Sequence, residues 1–297
     1  MDIELFNYEL PEELIAQTPA KVRDECRLLC INKKNNTYED KIFRDIIDYL
    51  KPGDIIVRNN TKVMPARIFG VKEGTGAKVE ILLLKQIEGD KWECLAGNAK
   101  PIKVGSVISF NDGKLKAECI EVKDEGIRIM NFKYKGIFME IMNEIGAMPL
   151  PPYIKKKCED NSQYQTVFAK VYGSAAAPTA GFHFTEDLIK RCEEKGVEFL
   201  DVTLNIGLGT FKPVKEKTCE AHKMHVEHYE MSQEVADELN KARKEGRRII
   251  ALGTTSTRTL ESVMRKYGEF RADKDDTDIY IMPGYKYKAI DALITNF

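Results

Sequence analysis

The stretch Gly246-Arg-Arg-Ile-Ile-Ala-Leu-Gly-Thr-Thr-Ser-Thr-Arg258 decides the fold. Gly246 stops a helix that the pattern predicts from an N-cap at Ser232 to Glu245. Arg248 to Leu252 then reads as a short apolar strand. The polar turn after it opens a helix predicted over Thr257 to Tyr267. Upstream, Glu186 to Lys195 reads as a helix ended by Gly196, and Val197 to Ile206 as a strand. Downstream, Asp278 to Met282 reads as a further strand. This alternation predicts a largely parallel α/β sheet or barrel. Nearer the start, Leu28 to Asn32 is a predicted strand, Phe43 to Leu50 a short helix, and Ile55 to Val57 a buried strand.

Between about Arg67 and Phe132 the character changes. Lys78–Ile87, Lys91–Ala96, Ser106–Phe110, Leu115–Val122 and Ile127–Phe132 are β-rich runs separated by turn residues such as Asn111-Asp-Gly. Short, evenly spaced strands without helices predict an antiparallel meander or small barrel. A short helix over Phe138 to Ile145 and the stiff run Met148-Pro-Leu-Pro-Pro-Tyr153 follow. We therefore expect a β domain over 67–148 inserted into an α/β domain made of 1–66 and 149–297.

The chain has 297 residues, 43% hydrophobic and 31% charged, with a net charge of −1. That composition excludes a disordered chain and gives no global charge for a polyanionic partner. The densest basic runs, Lys155-Lys-Lys157 and Arg243 to Arg248, read as solvated faces. The seven cysteines include no C-x-x-C pair, which points to a reducing cytoplasm rather than disulfides or thiolate zinc. No signal peptide or membrane span is expected. The chain stops at Ala292-Leu-Ile-Thr-Asn-Phe297 within an apolar pattern, so a further segment is expected beyond it.

Ser174-Ala-Ala-Ala-Pro-Thr-Ala-Gly-Phe-His-Phe-Thr185 strings small residues before a histidine held between two phenylalanines. Such a run lets backbone approach a ligand, while Ser174, Thr179, Thr185 and His183 supply polar contacts. The loops Gly207-Leu-Gly-Thr-Phe211, Gly253 to Arg258 and Pro283-Gly-Tyr285 follow predicted strands and are expected to share one rim. His222, His225 and His228 are spaced by three, with Glu227 among them. Metal ligation, hydrogen bonding with proton transfer, and a plain loop all fit that spacing.

These motifs resemble, in order and almost end to end, the S-adenosylmethionine:tRNA ribosyltransferase-isomerases of queuosine biosynthesis. The resemblance rests on Arg23-Asp24 with Arg27-Leu-Leu, Asn59-Asn-Thr-Lys-Val-Met-Pro-Ala-Arg67, Gly146 to Tyr153, Tyr164 to Ala169, Gly173 to Thr185, Val202 to Val214, His222 to Glu227, Gly253 to Arg258 and Pro283 to Tyr285. It implies an open α/β barrel with an inserted β-barrel. It also implies transfer of the ribosyl part of S-adenosylmethionine to a 7-aminomethyl-7-deazaguanine at the tRNA wobble position, giving epoxyqueuosine, adenine and methionine. No metal or cofactor is implied, since S-adenosylmethionine is a substrate. A monomer is expected.

On this resemblance His183, His222 and His225 are candidates for proton transfer. Arg258, with the backbone of Gly253, Thr254 and Thr255, is the candidate anchor for a carboxylate or phosphate. Ala176, Pro178 and Gly181 would let substrate pack on backbone, Phe182 and Phe184 would offer aromatic faces, and Thr61 and Arg67 would face RNA or substrate. Gly207, Gly209, Thr210, Glu227 and Gly284 complete the expected rim with Ser174, Thr179 and Thr185. The sequence departs from the family pattern at Gln163, at Gly97-Asn98 and at Asn205. Two other readings are a metal-dependent hydrolase built on His222, His225 and His228, and a non-catalytic RNA-binding protein.

Overall fold

Residues 1–156, 160–211 and 214–296 are described by the computed structural model; Lys157, Cys158, Glu159, Lys212, Pro213, Phe297 and the side chains of Glu125, Leu208 and Phe211 lie outside the described residues. The chain opens with a hairpin of β1 (Arg27–Asn32) and β2 (Thr37–Ile42), then β3 (Ile55–Asn59) and β4 (Thr61–Val63). Six strands follow: β5 (Arg67–Lys72), β6 (Lys78–Glu88), β7 (Lys91–Ala96), β8 (Val107–Phe110), β9 (Leu115–Val122) and β10 (Ile127–Tyr134). They pair antiparallel in the order β10-β7-β6-β5-β8-β9 and close into a barrel. Closure leaves no edge for another chain to extend. Ile68, Ile81, Leu83, Ile108, Phe110 and Phe132 fill it. Helix α1 (Phe138–Ile145) seals it with Ile141 and Met142, while Phe138 stacks on Trp92 at 5.5 Å.

The rest of the chain builds a six-stranded sheet. After β11 (Val171–Ser174) come α2 (Glu186–Glu194), β12 (Glu198–Asn205), β13 (Glu227–Met231), α3 (Gln233–Glu245), β14 (Ile249–Leu252), α4 (Gly253–Tyr267), β15 (Asp273–Thr277) and β16 (Ala292–Ile294). The sheet order is β15-β13-β12-β3-β14-β16. β12, β3, β14 and β16 are parallel, as the alternation of elements predicts, and β13 and β15 add antiparallel to one side. The central strands are apolar because both faces are covered. Ile55, Ile56 and Val57 are each 0% exposed, and each such burial contributes roughly 1.5–3 kcal/mol. α4 lies across β3, β12 and β14. Because four strands run the same way, Asn59, Asn205, Leu252 and Ile294 end along one edge, where ligands of open α/β sheets bind.

Most expected elements shift by one or two residues at their ends, and two shift further. α4 begins at Gly253 rather than Thr257. The hydroxyls of Ser256, Thr257 and Thr259 donate to the carbonyls of Leu252, Gly253 and Thr255, four residues back, so side chains that favour turns here join the helix. The strand expected at Asp278–Met282 is instead β15, Asp-Lys-Asp-Asp-Thr277. Its low intrinsic propensity is overridden by pairing with β13 and by Lys266, whose ammonium bridges Asp273 and Asp275.

Candidate active site

The carboxyl edge of the sheet is stitched by short polar side chains. Asn59 ties β3 to β12: its Nδ2 donates to the Leu204 carbonyl at 3.0 Å, and its Oδ1 accepts from the Leu204 and Thr61 amides, each at 3.1 Å. Thr61, fully buried, places its hydroxyl 2.8 Å from Ser174 Oγ and 3.3 Å from Asn205 Oδ1. Ser174 Oγ accepts from the Ile206 amide, and the Ala175 amide donates to the Ile206 carbonyl, both at 2.8 Å. The small residues serve this seam. A Cβ on Gly173 would stand 2.6 Å from Asn205 Oδ1, and one on Gly181 3.0 Å from Thr166 Cγ2. Several of the residues expected to contact a ligand also hold the fold. Thr61 and Ser174 satisfy each other, Ala176 belongs to the main core, Pro178 is buried, and Phe184 packs edge-on to Phe43 at 5.1 Å. Thr185 caps α2 through the Leu188 amide and donates to Asp24.

A 3-10 turn over Thr179–His183 carries the exposed side of this run. His183 leans on Phe43, 5.2 Å between centroids with the planes 39° apart, its Nε2 lies 2.6 Å from Asn296 Oδ1 just beyond β16, and its Nδ1 is buried without a partner among the described residues. Phe182 is half-buried between Tyr164, 5.6 Å between centroids, and the Arg23 guanidinium, 4.9 Å from the ring centroid. The turn meets the start of α4: a Cβ on Gly253, whose φ is +88°, would lie 3.5 Å from Ala180 Cβ and from Thr255 Oγ1. Thr254 is exposed in that first turn, and Thr255 Oγ1 is buried with no partner among the described residues.

The other half of the edge is held by charge. Arg258, one turn further along α4, pairs with the buried carboxylate of Glu227 and donates to the carbonyls of His225 at 3.0 Å and Thr277 at 3.2 Å. The Gly207 amide donates to the other Glu227 oxygen at 3.1 Å. Burial pushes the Glu227 carboxyl above its ordinary range, against the pull of Arg258 and the Gly207 N–H. Burial also lowers the Arg258 guanidinium, against the pull of Glu227. Both shifts follow burial, so desolvation outweighs the attraction. Arg258, expected to anchor a ligand anion, is thus neutralised from within.

His222 places Nδ1 3.0 Å from Glu216 Oε2 and its ring 6.4 Å from that of His225, while His228 turns to Asp276 at 2.9 Å. Among the described residues no three His, Cys, Asp or Glu side chains are arranged to hold a metal ion, so the hydrolase reading finds no support in the geometry. His225 lies against Gly209, where a Cβ would come within 2.2 Å of its ring. Thr210 is exposed. Gly284 sits at φ +91° in an exposed turn. Buried Glu261 secures the segment that follows, accepting from the Tyr285 hydroxyl and the Ala289 amide, both at 2.8 Å. Arg67 stands at the mouth of the barrel, where its backbone pairs with Ala147 and its Nε is 3.1 Å from Glu80. Arg23 and Tyr164 lie in stretches that carry the resemblance, but neither they nor Asn296 receive a role from the sequence. Only their places in the fold bring them to this edge.

Over residues 3–297 the chain matches the family described as a queuosine biosynthesis protein. It is 56% identical over 297 residues to the S-adenosylmethionine:tRNA ribosyltransferase-isomerase of Staphylococcus haemolyticus, covering 100% of this chain and 87% of that protein. The protein of the same name from Staphylococcus epidermidis is 55% identical with the same coverage. Among solved structures it is similar to an S-adenosylmethionine tRNA ribosyltransferase from Thermotoga maritima, at 33% identity and TM-score 0.50, over 98% of this chain and 84% of that one. With the family match spanning nearly every residue of an edge built as described, this chain belongs to the queuosine biosynthesis protein family.

Proposed function

We infer that this chain transfers and isomerises the ribosyl part of S-adenosylmethionine onto 7-aminomethyl-7-deazaguanine at the wobble position of a tRNA, releasing adenine and methionine. The observation that carries this reading is the 56% identity, across all 297 residues, to a protein of that activity by name. The reaction removes a proton beside a sulfonium and assists adenine in leaving, so it needs a base and a donor in an enclosed slot.

His183 suits the base. Nε2 donates to Asn296 Oδ1, which orients the ring at the rim of the edge. Phe43 packs against the ring. The first turn of α4, with Thr254 exposed and Thr255 buried, packs against the turn that carries His183 and supplies hydroxyl donors there. Phe182 offers an aromatic surface to the adenine or the sulfonium. His222 and His225 are the further groups for proton transfer, and Arg258 holds the backbone at His225.

We read residues 67–148 as an inserted domain, supported by its closed barrel and separate core, and 1–66 with 149–297 as the domain that binds S-adenosylmethionine. No helix among the described residues is long and apolar enough to cross a membrane. A monomer acting in the cytoplasm is our reading.

The test is incubation with labelled S-adenosylmethionine and tRNA bearing the aminomethyl-deazaguanine, following adenine release and label on tRNA together. Equal amounts of both are expected. Tight RNA binding with no adenine released would favour the non-catalytic alternative.

A further inference from the structure

Among the described residues Arg23 is a cation without a counter-charge. It lies in a 3-10 turn, Arg23–Glu25, packed against the turn that carries Phe182 and His183. Its guanidinium is half-buried over Phe182 and donates to the Gln163 carbonyl. Both neighbouring carboxylates are committed elsewhere. Glu25 accepts from Arg44 at 2.5 Å, and Asp24 is shared by Arg44 at 3.5 Å and the Thr185 hydroxyl at 3.1 Å. No Asp or Glu among the described residues lies within ion-pair distance of Arg23. Burial depresses the basicity of the guanidinium, the direction expected of a cation that lacks a partner.

Part-burying an unpaired charge is costly, and that cost is recovered when an anion arrives. Tyr164, 8% exposed, leans at a tilt against the Phe182 ring. Arg258, by contrast, already has Glu227.

We propose that Arg23 is the oxyanion-binding group of this site, its planar fork taking the paired oxygens of a substrate carboxylate or phosphate beside Phe182. The inference rests on the reading above. The carboxylate would come from the amino-acid arm of S-adenosylmethionine and the phosphate from the tRNA backbone.

The test compares wild type with R23A and R23K, each checked for an unchanged thermal midpoint. Calorimetric titration with S-adenosylmethionine alone reads the carboxylate source without turnover. Filter binding of tRNA across a salt series reads the phosphate source. A carboxylate contact predicts that R23A weakens S-adenosylmethionine about 30-fold or more. It further predicts that decarboxylated S-adenosylmethionine binds wild type and R23A alike, and that R23K recovers part of the loss. A phosphate contact predicts weaker tRNA binding with a salt slope smaller by about one, and unchanged S-adenosylmethionine affinity. If R23A binds both substrates as wild type does, the proposal is overturned, including when its folding or turnover declines. Wild type that binds S-adenosylmethionine yet releases no adenine would count against the reaction and leave the Arg23 comparison standing.

Discussion

Arg258 and Glu227 meet where only 14% and 6% of their side chains are exposed, and burial moves both away from their charged forms. Such a pair adds little net stability while intact, but removing one member strands the other. R258A is expected to cost about 3–5 kcal/mol at pH 7, read by urea denaturation. The sign with pH follows from Glu227. Its folded-state value is raised above the ordinary 4.5, so its contribution is complete below that value and is lost as pH rises through the shifted one. Without Arg258 the shift grows, and the R258A deficit should shrink as pH falls from 7 toward 5. A deficit constant over that range would show that Glu227 does not carry it.

His183 should be required for turnover and not for folding. Its ring rests on Phe43 and bonds to Asn296 at the rim, while Phe184 supplies the core contact. H183A is expected to lower turnover by about 100-fold or more, with S-adenosylmethionine binding and the thermal midpoint retained. Adenine release by this variant at the wild-type rate would remove His183 from the chemistry.

Thr255 separates function from stability in the opposite direction. Its buried hydroxyl has no partner among the described residues, so T255V removes an unsatisfied group while keeping the volume. The free protein should be unchanged or firmer by about 1 kcal/mol. If the hydroxyl meets substrate, kcat/KM should fall about 10-fold, by roughly the worth of one hydrogen bond. A variant that loses stability instead points to a protein partner for this hydroxyl.

Gly146, where α1 hands the chain back to the sheet domain, is tightly enclosed. A Cβ there would sit 2.0 Å from the Pro65 carbonyl oxygen and 2.6 Å from that of Met142, both backbone atoms that cannot swing aside. G146A is expected to cost about 1–3 kcal/mol and to lower the thermal midpoint by several degrees. An unchanged melt would mean that the junction is looser than its geometry.

Much of this was legible in the chain. Apolar runs bounded by glycine gave β3, β12 and β14, and the turn-punctuated strands gave the barrel, because burial on both faces and closure write themselves into residue pattern. β15 was not legible, since Asp-Lys-Asp-Asp-Thr277 is a strand only through the side chains across from it. The site followed the same division. The residue types proposed for proton transfer and aromatic contact, His183 and Phe182, are local features of the sequence. Which charge is neutralised by which is not. Arg258 looked available until Glu227, 31 positions away, was found on it, and Arg23 looked ordinary until its neighbouring acids proved to belong to Arg44.

The outermost strand, β15, presents Asp275 and Asp276 along the free margin of the sheet, and Lys266 and His228 only partly offset them. Lined with carboxylates, that margin repels a second strand seeking to add itself and guards against assembly through the sheet.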